Sequence, residues 1–217
     1  MIKNPYKGKL IAFEGLDGSG QSTQVQKLTE HLKRLHKKDP ERFPPVYVTK
    51  EPSAGLYGGL VREALRERLR HGPMYGALAM QALFVADRAH HLDHEIIPLL
   101  EKGYTVVTDR YAYSTIAYGA AERSELWNCL VVMNETFIEP NATIFLDVSP
   151  EFCMERMKIS RGHLELYEKQ ETLKKVLANY RILTKEDPHV FGVKGEKPIQ
   201  SVFRDVLKII KKELKLS

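Results

Sequence analysis

Cysteine is nearly missing from this chain of 217 residues: only Cys129 and Cys153 occur, in unrelated segments. Two lone thiols provide neither a disulfide framework nor a paired metal-ligand motif, so a reducing compartment is the expectation. Long apolar runs are missing too, and no stretch approaches the roughly 20 residues that a membrane-crossing helix needs. The opening MIKNPYKGKLIAFEG passes from a short polar arm into strand-like sequence, without the apolar segment of a secretory leader. A cytoplasmic protein with no membrane partner is therefore expected. Tryptophan occurs once, at Trp127, and the tyrosines are scattered rather than interleaved with basic residues. That argues against a single-strand nucleic-acid binder, and no nucleic-acid partner is expected.

What is present reads as a globular protein, with 43% hydrophobic and 28% charged residues. The formal charge of +5 and pI of about 9.0 are a mild basic excess. A mononucleotide accounts for that excess as well as a larger anion does, and most of the lysines read as solvated surface. Short β-type runs (KLIAFEG, VYVTKEP, GYTVVTDRY, ATIFLDVS and HVFGVKG) alternate with helical stretches. The helical stretches cover about 22–37, 59–70, 77–101 and 114–134, then one from Pro150, one ending near Leu183, and a closing amphipathic segment. This alternation predicts an α/β fold: a P-loop NTPase-like three-layer domain with a five-stranded parallel sheet and helices on both faces. One domain spanning 1–217 is expected, with the polar KISRGHLELYE connection forming a lid near residues 158–168.

Ligands of such sheets bind beyond the carboxyl ends of the strands, so the residues after each strand carry the information. After the first strand stands FEGLDGSGQSTQ, close to the phosphate-loop pattern G-x-x-x-x-G-K-[ST]. Gly15, Gly18, Ser19, Gly20, Gln21, Ser22 and Thr23 would wrap backbone N–H groups around phosphates at a helix N-terminus. Ser22 is placed to ligate a Mg²⁺ ion bridging them. The plainer alternative is a glycine turn that ends in a serine-capped helix. After the third strand, Asp109 is where a carboxylate would hold Mg²⁺ or its water, and Arg110 is where a phosphate clamp would stand. Phe84 and Arg88, four apart, share a helix face as an aromatic plate beside a planar cation, though alone they read as core and surface. TKEPS after the second strand reads alone as a turn.

Taken in order, FEGLDGSG, TKEP, LFVADRA, DRYAYSTIAY, PNATIFLDVSPE and LYE resemble the thymidylate kinases over about residues 9–180. The pairing of EGLDGSG with DRY..S..AY is far more specific than the loop alone. The resemblance implies phosphorylation of dTMP by MgATP to dTDP, and a homodimer. It implies that Asp17 reaches the acceptor 3′-hydroxyl, Phe84 stacks on thymine, and Arg88 bonds its O4 edge. Thr115 would exclude cytosine and Tyr118 would pack on the sugar. Arg110, with Lys50 where an arginine is expected, would bind the dTMP phosphate, and Tyr167 with Glu168 would end the lid near the acceptor.

Gln21 departs from the pattern, because the lysine that neutralises the transferring phosphate is replaced by a neutral amide. Three accounts compete. In the first another cation takes over, with Arg161 in the lid preferred over Lys158; in the second the chain binds nucleotides without turnover; in the third the glutamine is engineered to trap a complex. A kinase of another pyrimidine monophosphate is a further alternative. His90 and His94 share a helix face at metal-ligand spacing but lack any accompanying motif, and read as a polar surface. The basic C-terminal helix reads as docked rather than membrane-bound.

Overall fold

The structure, a computed structural model, describes residues 1–66, 75–160 and 170–214. The chain opens with β1 (Ile2–Lys3), β2 (Lys9–Gly15), α1 (Gln21–Lys38), β3 (Val46–Lys50) and α2 (Leu56–Leu65). It continues through α3 (Gly76–His91), a π-helical turn (Leu92–Ile96), α4 (Ile97–Glu101), β4 (Thr105–Asp109) and α5 (Ala112–Glu122). A 3₁₀ turn (Ser124–Leu126) leads into α6 (Trp127–Glu135), β5 (Ile138–Glu139) and β6 (Ala142–Asp147). The last elements are α7 (Pro150–Ser160), α8 (Gln170–Glu186), β7 (Val190–Lys194) and α9 (Ile199–Glu213).

Five strands form one parallel sheet in the order β3-β4-β2-β6-β7. β2 lies at its centre, which explains its unbroken apolar run: a central parallel strand is covered on both faces. Leu10, Ile11, Ala12 and Phe13 have no accessible surface. Ile11 and Phe13 join the larger core cluster, while Leu10 and Ala12 join a second one with Ile96, Leu100 and Val106. Alternate residues of one strand thus feed two cores, as the period of two requires. α1 and α9 pack together and against the sheet, while α4, α5 and α8 pack on it elsewhere, with α3 against α5. The expected five-stranded parallel sheet with helices on both faces is present.

The structure departs locally from these expectations in three places. The single helix expected over 77–101 is interrupted by the π turn Leu92–Ile96, just before Pro98 in the first turn of α4. Proline has no N–H and its ring crowds the carbonyl four residues back, so the helix widens there. The helix expected over 114–134 breaks at Arg123, which takes extended torsions (φ −141, ψ 102). β1 and β5 pair in parallel as a separate two-stranded sheet; two-residue strands are too short to show a period. Of the expected lid, residues 158–160 end α7 and the remainder lies outside the described residues.

Candidate active site

The phosphate-loop segment leaves the carboxyl end of β2 and enters α1 through three glycines with positive φ: Gly15 (153°), Gly18 (80°) and Gly20 (98°). Gly18 is required twice over. A Cβ there would stand 2.7 Å from the Cys153 carbonyl oxygen and 3.0 Å from Met157 Cγ, so α7 packs directly on the loop. Ser22 Oγ donates to Asp109 Oδ2 at 2.6 Å, which joins the start of α1 to the end of β4. The two residues expected at the Mg²⁺ position therefore meet. Gln21 is buried and turned inward, its Nε2 at 3.5 Å from the Phe13 carbonyl.

Beside the loop lies a cavity of about 340 Å³, lined by Gly18, Gly20, Gln21, Ser22, Arg156 and Lys197 among others. Arg156 on α7 was not singled out from the sequence. Its Nη1 donates to the Ser19 carbonyl at 3.1 Å, and its guanidinium lies 4.4 Å from the Phe152 ring centroid. Phe152 and Arg156 are four apart, the same aromatic–arginine signal that marked Phe84 and Arg88. That spacing was the cue available in the sequence.

A second cavity, of about 290 Å³, is lined by Asp17, Lys50, Phe84, Arg110, Thr115 and Tyr118, with Arg62 and others at its edge. Arg110 is tied into its wall: Nη2 donates to Asp17 Oδ1 at 2.6 Å, and Nη1 to the Gly15 carbonyl and Ser114 Oγ, both at 3.0 Å. Tyr118 Oη donates to Asp17 Oδ2 at 3.2 Å, and its ring centroid lies 5.2 Å from the Arg110 guanidinium. Burial pushes the Tyr118 phenol far up, so it stays a neutral donor. Burial opposes the charge on Arg110, but its neighbours, the Asp17 and Asp109 carboxylates among them, more than offset this.

Arg88 stands behind this cavity rather than in its lining. It is 1% exposed, with Nε and Nη2 donating to Glu51 Oε2 at 3.0 and 2.7 Å. Its Nη1 donates to Thr115 Oγ1 at 3.1 Å and Asn134 Oδ1 at 2.5 Å. The side chain thus reaches the cavity wall through Thr115. Glu51 also faces His91 Nδ1 at 3.5 Å, while His91 Nε2 lies 2.8 Å from Thr49 Oγ1 and 3.1 Å from Glu95 Oε1. Burial pulls the His91 pKa down, but Glu51 and Glu95 more than offset it and the net direction is upward. The TKEPS turn is held by Asp87, which accepts from Ser53 N at 2.7 Å and Ser53 Oγ at 2.5 Å, and by Arg62, which donates to the Ser53 carbonyl at 2.5 Å.

Arg161, Tyr167 and Glu168 lie outside the described residues, and Lys158 is exposed on α7. His90 and His94 stack with ring centroids 4.0 Å apart, and among the described residues no three His, Cys, Asp or Glu side chains group to hold a metal. No described helix is long and apolar enough to cross a membrane.

A glycine loop joining the central strand to a helix, in a parallel sheet of this order, defines a P-loop NTPase-like nucleotide-binding domain. A family model described as thymidylate kinase matches residues 13–206. The chain is 34% identical to the thymidylate kinase of Caldicellulosiruptor saccharolyticus, over 96% of this chain and 98% of the relative. It is also 34% identical to the probable thymidylate kinase of Pyrococcus horikoshii, with the same coverages of 96% and 98%. The solved thymidylate kinase of Candida albicans superposes with a TM-score of 0.77 at 29% identity, over 96% of this chain and 93% of that one. The chain belongs to the thymidylate kinase family.

Proposed function

We infer that this protein transfers the terminal phosphoryl group of ATP to dTMP, giving dTDP and ADP. The observation that carries this reading is the adjacency of two anion sites on one loop: Asp17 lines the second cavity and Gly18 the first. A donor phosphate seated on the loop and an acceptor phosphate at Arg110 would face each other across two residues. Phosphoryl transfer asks for little more than such alignment and neutralised charge.

Roles follow the chemistry of each group. The loop N–H groups from Gly18 to Thr23 hold the donor phosphates, and Arg110 with Lys50 holds the acceptor phosphate. Asp17, Phe84, Thr115 and Tyr118 fix the nucleoside, with Arg88 acting on the base through or beside Thr115, and Tyr167 is proposed near the acceptor. Ser22 and Asp109 pair a hydroxyl with a carboxylate at 2.6 Å, an all-oxygen donor set that fits Mg²⁺. Bound there, the ion would supply neutralisation of the donor phosphates. The α7 packing that excludes a side chain at Gly18 leaves no room for an arginine at that position of the loop. We propose that Arg156, already on the loop, and Arg161, further along the proposed lid of residues 158–168, supply the charge that Gln21 lacks. A cytoplasmic homodimer is proposed on the family resemblance; Leu56, Tyr57 and Leu60, exposed on α2, offer an apolar stripe for a second copy to cover.

The Candida albicans relative is described as having broad substrate specificity. That favours testing a wider acceptor range here. Initial rates with MgATP and dTMP, dUMP, UMP or CMP should rank dTMP first. A higher kcat/KM for UMP or CMP would reassign the acceptor, and binding without ADP release would leave a nucleotide-binding protein.

A further inference from the structure

Glu14 has no accessible surface and lies on β2 immediately before the loop, yet none of the roles above uses it. Its Oε1 accepts from the backbone N–H of Tyr111 at 3.0 Å and of Ser114 at 3.2 Å. Its Oε2 accepts from the Ser114 hydroxyl at 2.5 Å and the Tyr180 hydroxyl at 2.8 Å. The first turn of α5 has no side-chain cap from its own segment, so a carboxylate from the neighbouring strand satisfies those N–H groups. Burying a carboxylate is costly, and four donors on its two oxygens are what make it tolerable here.

The residue just before this grip is Arg110, whose φ of 73° puts a bulky side chain in the left-handed region. Such a conformation persists only where its surroundings over-determine it. Upstream, Arg110 N donates to the Phe13 carbonyl at 2.9 Å, and Thr108 Oγ1 donates to the Arg110 carbonyl at 2.9 Å. Downstream, Glu14 fixes Tyr111 and Ser114. Ser114 Oγ, bonded to Glu14, also receives Arg110 Nη1.

We propose that Glu14 is a positioning residue for the acceptor site: it holds Arg110 in its left-handed backbone and, through Ser114, aims the guanidinium at Asp17. The proposal rests on reading the second cavity as the dTMP site. Burial pushes the Glu14 carboxyl up to about 7, with Ser114, Arg110 and Tyr180 pulling it back. Those partners are the ones the geometry names.

The test is a double-mutant cycle on dTMP binding, read by calorimetry so that it stands whether or not the protein turns over. Glu14→Gln, which keeps the side-chain shape, is expected to weaken dTMP about tenfold in the native background and less than about twofold in Arg110→Lys. MgATP affinity should change less than about twofold in both. Additive losses in the two backgrounds would overturn the proposal. Should Glu14→Gln fail to fold, Tyr180→Phe removes one hydroxyl donor from the same carboxylate and carries the same cycle, with the same two outcomes. If the native protein binds no dTMP, the functional reading fails and amide exchange decides Glu14 separately. Exchange at Tyr111 and Ser114 that speeds in Glu14→Gln beyond the rest of α5 supports the holding role, and unchanged exchange at both overturns it.

Discussion

At the scale of single residues, electrostatics is settled by partners drawn from distant parts of the chain. Asp17 and Arg110, named from strand ends, and Tyr118, named from the resemblance, are brought together at the second cavity. The surroundings of Arg88 were not legible in the sequence. Its partners Glu51 and Asn134 are 37 and 46 residues away in sequence, and only the folded sheet brings them together. A cation placed by pattern at a base edge is therefore found 1% exposed, with four hydrogen bonds already made. Glu14 went unread for the same reason, since its partners lie 97, 100 and 166 residues away. Its ionisation has a consequence for stability. The groups facing it are Arg110, Tyr113 and Ser114 around the start of α5, Tyr180 on α8 and Arg88 on α3. Below the ordinary carboxyl value of 4.5 both folded and unfolded chains hold the proton, and from there to about 7 only the folded chain does. The stability this provides is complete at the acid end and is lost as pH rises to about 7, a difference of about 3 kcal/mol. Chemical denaturation of the native protein and Glu14→Gln from pH 4 to 8 should show this slope only in the native protein. Parallel curves would contradict the burial argument.

At the scale of elements, hydrophobic period and strand-end punctuation placed all five sheet strands, while helix interruptions escaped. Pro98 held the clue to the π turn, but proline in a first helical turn is ordinarily tolerated, and only the continuous chain from α3 makes it a break. The contact with most bearing on chemistry is α7 on the phosphate loop. It requires glycine at position 18 and brings Arg156 onto the Ser19 carbonyl. Arg156→Ala and Arg161→Ala should each lower kcat, by up to about 10²-fold, while the KM for dTMP changes less than about threefold. Unchanged kcat in both variants would remove α7 and the lid as the source of the missing charge.

At the scale of the whole molecule, one sheet order accounts for the layout. β2 is central, so the loop that follows it stands between β4, which supplies Asp109 and leads into Arg110, and β6, which leads into α7. The two cavities therefore adjoin a single loop, one at Asp17 and the other at Gly18. Binding beyond the strand ends was expected from the alternation of strands and helices; strand order, and with it this layout, was not, because parallel strands carry no register signal of their own. The proposed homodimer belongs to this scale too. Sedimentation equilibrium should return twice the 24.9 kDa chain mass, and a monomer at working concentration would contradict it.

The central claim is that an intact acceptor site and a loop without its lysine make a working dTMP kinase. The most direct test is the initial rate of dTDP formation from MgATP and dTMP, measured for the native protein beside Gln21→Lys. The account predicts that the native protein turns over and that Gln21→Lys gains little or loses activity, because other cations already serve the phosphates. A silent native protein with activity restored by Gln21→Lys would contradict it, and would make Gln21 the residue that disables an otherwise complete kinase site.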